Sequence, residues 1–332
     1  MITFSQFMRR ALYDPGAGYY MSGRGQFGAR GDFYTAGQVS GLFGGLLANE
    51  FAAVWRGLGG PPEFTIVELG AGRGEFARDA LARLRARHPD CFSGARYLIC
   101  EISPALREAQ RELLAEFGGR VVWAEEPGAA RGVVFANEFF DALPVHLVRQ
   151  RGGRLREIYV AEGPAGARLI EGELSSDELA AFWRRAGVPL REGQAAEINL
   201  EAARWIGRVA RGLGRGRVIT IDYGDRAERL YTPDRMAGTL RCFYRHTLND
   251  RPLERVGEQD MTASVNFTAL EEYGRDEGLE AASFGRLTDY LLRLGLLDGA
   301  AELSLRQRLA LKNFLVPHGL GGSFHVLVQE KR

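Results

Sequence analysis

Lysine is nearly missing from this 332-residue chain: Lys312 and Lys331 are the only two, and arginine carries the remaining positive charge. The arginines are scattered rather than clustered, and the net charge is +1. Nothing in the charge therefore points to nucleic acid or an anionic membrane as a partner. Cysteine is scarce as well. Cys91, Cys100 and Cys242 lie far apart with no CxxC spacing, which argues against a disulfide framework or a zinc site and suits a reducing cytosol. No segment approaches the roughly 18 uninterrupted apolar residues of a membrane helix, and "MITFSQFMRRALYD" lacks the apolar stretch of a signal peptide. A cytoplasmic protein without membrane insertion is expected. The histidines His88, His146, His246, His318 and His325 form no metal spacing, and no Ser-His-Asp order, Walker loop or HExxH is visible. No metal is expected.

What is present reads as an ordinary globular chain, 45% hydrophobic and 26% charged, long enough for one large domain or a core with a sizeable insertion. Residues 1–60 hold two helical patterns, Phe4–Leu12 and Leu42–Trp55, separated by a glycine-rich and aromatic stretch. Long loops of that kind are often binding loops, and a flap over residues 16–37 is expected. From Phe64 the pattern turns α/β. "FTIVEL" is a strand and "FARDALARLRAR" a helix. "ARYLICEIS" is a second strand, followed by a helix that opens on Pro104. "RVVWAE", "GVVFANEFFD", "GRVITIDYG" and "SFHVLVQEK" read as later strands. Strands alternating with helices imply a parallel sheet covered on both faces. The expected division is an N-terminal helical extension (1–60), a Rossmann-like core (61–150, 216–224 and 320–332) and inserted substrate or lid regions (151–215 and 225–319). Strand-like "LREIYVAE" and "ARLIEGELS" precede helices expected at 177–186 and 192–213, with others near 268–278, 286–294 and 303–315.

The stretch "VELGAGRGEF" carries the chemistry. Its glycines, Gly70, Gly72 and Gly74, fall as G-x-G-x-G, and the next strand ends in Glu101. A turn without Cβ atoms lets backbone approach a ligand closely, and an acid at the tip of the following strand can accept from both ribose hydroxyls. The spacing is shorter than the dinucleotide fingerprint. With Glu68 just before the loop, it fits a cofactor that places no pyrophosphate at the helix N-terminus: S-adenosyl-L-methionine, with S-adenosylhomocysteine as product.

"GDFYTA" (31–36), "VELGAGRGEF" (67–76), "EISPALREAQ" (101–110), "NEFFDALPVH" (137–146) and "GEQDMTASVNFTAL" (257–270) come in the order found in a known family. They resemble the MidA-like family, that is, mitochondrial complex I assembly factor 7 and its bacterial relatives, class I S-adenosylmethionine-dependent methyltransferases. The resemblance covers most of the chain and is weakest over 151–215. It implies an α/β fold with a Rossmann-like seven-stranded sheet, the last strand antiparallel. It implies cofactor contacts from Gly31, Asp32, Thr35, Glu68, Gly70, Gly72, Gly74, Glu101 and Ile102, with the Gly31–Asp32 loop folding over the ligand. It also implies a bacterial cytoplasmic enzyme, and an arginine of a respiratory-complex subunit as acceptor in mitochondrial members. The chain departs from the family pattern at Gly37-Gln38, where Pro-Glu is usual, and at Ser264 and Asn266, where the family has histidine and aspartate. Those positions lie outside the glycine loop, so the substrate side is altered more than the cofactor pocket.

Methyl transfer is an in-line displacement, for which positioning supplies much of the acceleration. A guanidinium acceptor arrives charged and weakly nucleophilic, and a carboxylate can grip two of its nitrogens. Glu138 at the end of a strand is the expected acceptor-orienting carboxylate, with Asn137 as a hydrogen-bond positioner. Asp141 is a further candidate or a cap of the following turn, and His146 is the best-placed general base among the histidines. Three functions stay open: a methyltransferase acting on a protein arginine, one acting on a small metabolite, and a non-catalytic assembly factor that retains the fold.

Overall fold

The computed structural model describes residues 1–21, 41–164, 166–245, 247–298, 304–316 and 319–332. Gly31, Asp32, Thr35, Gly37, Gln38, His246, His318 and residues 22–37 of the expected flap lie outside the described residues. In chain order the elements begin with β1 (Ile2–Thr3), α1 (Phe4–Tyr13), α2 (Gly41–Gly57), β2 (Phe64–Leu69) and α3 (Glu75–Arg87). Next come α4 (Pro89–Gly94), β3 (Ala95–Cys100), α5 (Pro104–Leu113), a 3-10 turn at Ala115–Arg120, β4 (Val121–Ala124) and β5 (Ala130–Asn137). The middle of the chain forms β6 (His146–Arg151), β7 (Arg154–Ala161), β8 (Arg168–Gly172), α6 (Asp177–Ala186), β9 (Ala195–Ile198), α7 (Leu200–Gly212) and β10 (Leu213–Asp225). It continues with α8 (Ala227–Leu230), β11 (Arg241–Tyr244), β12 (Thr247–Asn249), β13 (Asp260–Thr262), β14 (Val265–Asn266) and α9 (Phe267–Arg275). The last elements are β15 (Glu280–Arg286), α10 (Leu287–Arg293), α11 (Leu305–Leu315), α12 (Leu320–Ser323) and β16 (Phe324–Lys331).

Two compact units result. The first takes Phe27–Phe139, Gly207–Tyr223 and Arg275–Arg332; the second takes Met1–Gln26, Phe140–Ile206 and Gly224–Gly274. In the first, the strands run β4-β3-β2-β5-β10-β16-β15. The strands from β4 to β10 are parallel to their neighbours, and β16 lies antiparallel between β10 and β15. Seven strands with the last one in sequence, β16, antiparallel are what the resemblance implies. Strand β2 is buried along nearly its whole length, as it must be where helices cover both faces of a parallel sheet. Its core is aromatic: Phe76 stacks on Phe135 with ring centroids 4.3 Å apart, and Phe43 and Phe51 pack around the pair. Helices α2 and α3 pack closely because Gly44 is small; a Cβ there would lie 2.8 Å from the Asp79 Cβ.

The second unit holds an antiparallel sheet in which β7 pairs with β6, β8 and β1, and β6 pairs with β9. A three-stranded sheet runs β12-β11-β13. Val148, Phe182, Trp183, Ile198 and Tyr231 are among the residues that fill its core. The helix expected over 192–213 is a correction. Residues Ala195–Ile198 are strand β9, and the helix begins only at Leu200. Asn199 separates the two: its Oδ1 accepts from the Ala202 N–H at 2.8 Å, the bond of a helix N-cap. Strand β15 is also absent from the sequence reading. It is an edge strand, mostly exposed or half-buried, and so carries little of the alternation that marks a strand with one buried face.

Candidate functional site

Strand β2 ends at Leu69, and the Gly70 N–H continues the pairing by donating to the Cys100 carbonyl at 2.9 Å. Gly70, Gly72 and Gly74 then take φ values of 66°, 54° and 88°, all in the left-handed region that residues with a Cβ avoid. Gly70 has a second constraint, since a Cβ there would meet the Phe139 ring at 3.0 Å. Gly74 is the N-cap of α3 and offers no side-chain cap. The backbone N–H groups at this helix start therefore receive no side-chain cap from Gly74.

Glu101 stands at the end of β3, 7% exposed. Its Oε1 accepts from the Ile102 and Ser103 N–H groups at 2.9 and 2.8 Å, while Oε2 lies 3.4 Å from the Gln110 Nε2. Burial raises its pKa, and the hydrogen bonds from Ser103, Ile102 and Gln110 oppose the rise. Ile102, beside it, is an exposed apolar side chain. Glu68 is 4% exposed and accepts from the Tyr97 hydroxyl at 2.8 Å. Burial lifts its pKa to about 8; the Tyr97 bond works against this, and Glu101 and Glu75 add to it. Gln110 closes the "EISPALREAQ" block and is fully buried. Nothing in that stretch distinguishes a buried glutamine from a surface one.

The register pairs Leu69 of β2 with Ala136 of β5, so the chain emerges from the two neighbouring strands at the same level, Gly70 on one and Asn137 on the other. Glu138 follows with φ 51°, a strained value for a residue with a side chain. Its N–H donates to the Ile221 carbonyl at 3.0 Å, and its Oε1 accepts from Asn137 Nδ2 at 3.1 Å. The Asn137 Oδ1 is buried with no hydrogen-bond partner among the described residues. Glycine loop, Glu68, Glu101, Ile102, Asn137 and Glu138 therefore all belong to the first unit, at the carboxyl ends of β2, β3 and β5.

Asp141 and His146 belong to the second unit. Asp141 is buried, and its carbonyl accepts from the Ala263 N–H at 3.0 Å. His146 places Nδ1 2.7 Å from Oε1 of the fully buried Glu157, whose Oε2 accepts from the Ser175 N–H at 2.6 Å. Burial alone would raise the Glu157 pKa, but the bonds from His146 and Ser175 hold it below its ordinary value. With Glu157 ionised, the His146 Nδ1 carries the proton. The ring borders a polar pocket of about 340 Å³, together with Thr3, Gln6, Arg9, Ser175 and Arg204. Of the two departures near residue 265, Asn266 has a structural role: it stands before α9 and its Oδ1 accepts from the Ala269 N–H at 3.2 Å. Asparagine and aspartate cap helices about equally well. The Ser264 N–H donates to Thr239 Oγ1 at 3.0 Å.

The sequence profile of the Methyltransf_28 family, S-adenosyl-L-methionine-dependent methyltransferases, matches residues 46–285. A crystal structure from Burkholderia thailandensis with S-adenosyl-homocysteine bound superposes with a TM-score of 0.90 at 33% identity, covering 99% of this chain and 88% of that one. The mitochondrial protein arginine methyltransferase NDUFAF7 homolog of Drosophila melanogaster is 30% identical over 305 residues, 83% of this chain and 67% of that protein. The mouse protein arginine methyltransferase NDUFAF7 is 28% identical over 365 residues, 98% of this chain and 80% of that protein. These findings bear out the MidA-like resemblance read from the motifs. Among the described residues no helix is long and apolar enough to cross a membrane.

Proposed function

The chain belongs to the Methyltransf_28 family of S-adenosyl-L-methionine-dependent methyltransferases, and from that premise we propose that it methylates a guanidinium nitrogen of a protein arginine. The relatives named as protein arginine methyltransferases support the acceptor class. The observation that carries the reading is Glu138, a carboxylate held by strained backbone beside the glycine loop.

The residues present fit the cofactor. The three left-handed glycines form a turn without Cβ atoms, which lets its backbone approach a ligand closely. Glu101 keeps one carboxylate oxygen with spare acceptor capacity, and Asn137 Oδ1, without a partner among the described residues, is a buried acceptor in need of a donor. When bound, S-adenosylmethionine supplies an electrophilic methyl group on a sulfonium sulfur. Gly70, Gly72 and Gly74 line its amino-acid end, Glu101 accepts from its ribose hydroxyls, and Ile102 offers an apolar contact. Asn137 Oδ1 accepts from an N–H of cofactor or acceptor. Glu138 pairs with two nitrogens of the guanidinium, which orients the third along the line of attack and leaves electron density on it, and the proton that nitrogen sheds on methylation passes to solvent. The three cysteines, all buried and unpaired, support a reducing compartment such as the bacterial cytoplasm. A respiratory-complex subunit is the first acceptor to try.

The test is transfer of labelled methyl groups from S-adenosylmethionine into a cell lysate, split by size and followed by acid hydrolysis. Label in protein, recovered as methylarginine, is the expected result. Label confined to the small-molecule fraction would overturn the acceptor class, and no label in either fraction would favour the non-catalytic reading. Calorimetry on Glu101→Ala should show cofactor binding weakened at least about tenfold, from the loss of hydrogen bonds worth about 1.5–3 kcal/mol each.

A further inference from the structure

Gln110 is fully buried on α5, and both ends of its side-chain amide are engaged. The Trp123 Nε1–H donates to its Oε1 at 2.9 Å. An indole nitrogen only donates, so this bond fixes the amide's orientation and leaves the NH₂ group facing the other way. That group reaches the Gly72 carbonyl at 2.7 Å and Glu101 Oε2 at 3.4 Å. It has two hydrogens and can serve both at once. One side chain thus ties the middle glycine of the loop to the carboxylate at the end of the next strand. Gly74 makes room for it, since a Cβ there would lie 3.3 Å from the Gln110 Cγ.

The two backbone N–H groups on Glu101 hold Oε1; the amide is what holds Oε2. We propose that Gln110 is a positioning residue for the cofactor's ribose, setting Glu101 Oε2 against the glycine loop so that binding depends on the ribose hydroxyls. This rests on the assignment of Glu101 to those hydroxyls. A glutamine that only filled space would act differently, because its loss would weaken every ligand of the pocket alike.

The experiment is calorimetry with S-adenosylhomocysteine and with its analogue lacking both ribose hydroxyls, on the parent, Gln110→Leu, Gln110→Glu and Trp123→Phe. Gln110→Glu keeps the shape and the acceptor for Trp123 but loses both donors, so it remains informative if the leucine variant folds poorly. S-adenosylhomocysteine should bind both Gln110 variants about tenfold more weakly, the size of one bond to a charged group, while the analogue changes less than about twofold. Trp123→Phe, which frees the amide to turn over, should show a smaller loss of the same kind. Equal weakening of both ligands, or an unchanged preference between them, overturns the positioning role. A parent that binds both ligands equally overturns the ribose assignment of Glu101 and this proposal with it.

Discussion

Glu138 allows stability and activity to be separated at one position. Its φ of 51° costs a residue with a Cβ about 1–2 kcal/mol. Glycine escapes that cost but adds about 0.4–1 kcal/mol of unfolded-chain entropy. Any substitution without a side-chain acceptor also loses the 3.1 Å bond from Asn137, worth about 0.5–1.5 kcal/mol. For Glu138→Gly these contributions cancel to within about 1 kcal/mol. Glu138→Ala keeps the strain and loses the bond, so it should fall by about 1 kcal/mol. Glu138→Val adds the crowding of a branched side chain, at a further cost of about 1 kcal/mol. Urea midpoints followed by tryptophan fluorescence should therefore rank glycine level with the parent, then alanine, then valine. Methyl transfer should drop by about 10²-fold or more in all three, as when a positioned acid–base group is removed. Glu138→Gln should match the parent in stability yet share the loss of turnover. Valine as stable as glycine would refute the strain. A glycine or glutamine variant with parental turnover would refute the role of the carboxylate.

Glu68 ties stability to pH. Its pKa is raised from 4.5 to about 8 by burial, so the folded state holds a proton that the unfolded chain releases. The stability from the neutral carboxyl is complete below about 4.5, declines as pH rises past that value, and is gone above about 8. Glu68→Gln keeps an acceptor for Tyr97 and cannot ionise, so its urea midpoint should exceed the parent's at alkaline pH and approach it at acid pH; a constant gap across the range would refute the assignment. At the start of α9, Asn266→Asp should leave the thermal midpoint near the parent's, whereas Asn266→Ala should cost about 1 kcal/mol through loss of the N-cap. A similar drop in both would mean that the residue does more than cap the helix.

The sequence by itself determined the parts in which one local rule has one outcome. Three glycines between a strand and a helix leave the turn free to go left-handed, and Gly70, Gly72 and Gly74 do. Alternating strands and helices from Phe64 to Asn137 had to build a parallel sheet, and short connections leave few ways to order it. The motif identities fixed the family. Tertiary structure decided what depends on pairing between distant segments. Asn199 divides β9 from α7 by a cap that periodicity alone does not reveal. β15 is a strand because β16 offers it an edge, not because its own pattern demands one. His146 and Asn137 share one block of sequence yet fall in different compact units, since a motif records order along the chain and not the sheet each end joins. Gln110 is a further case: its two donors acquire a role only when folding brings Gly72, Glu101 and Trp123 within reach of one amide.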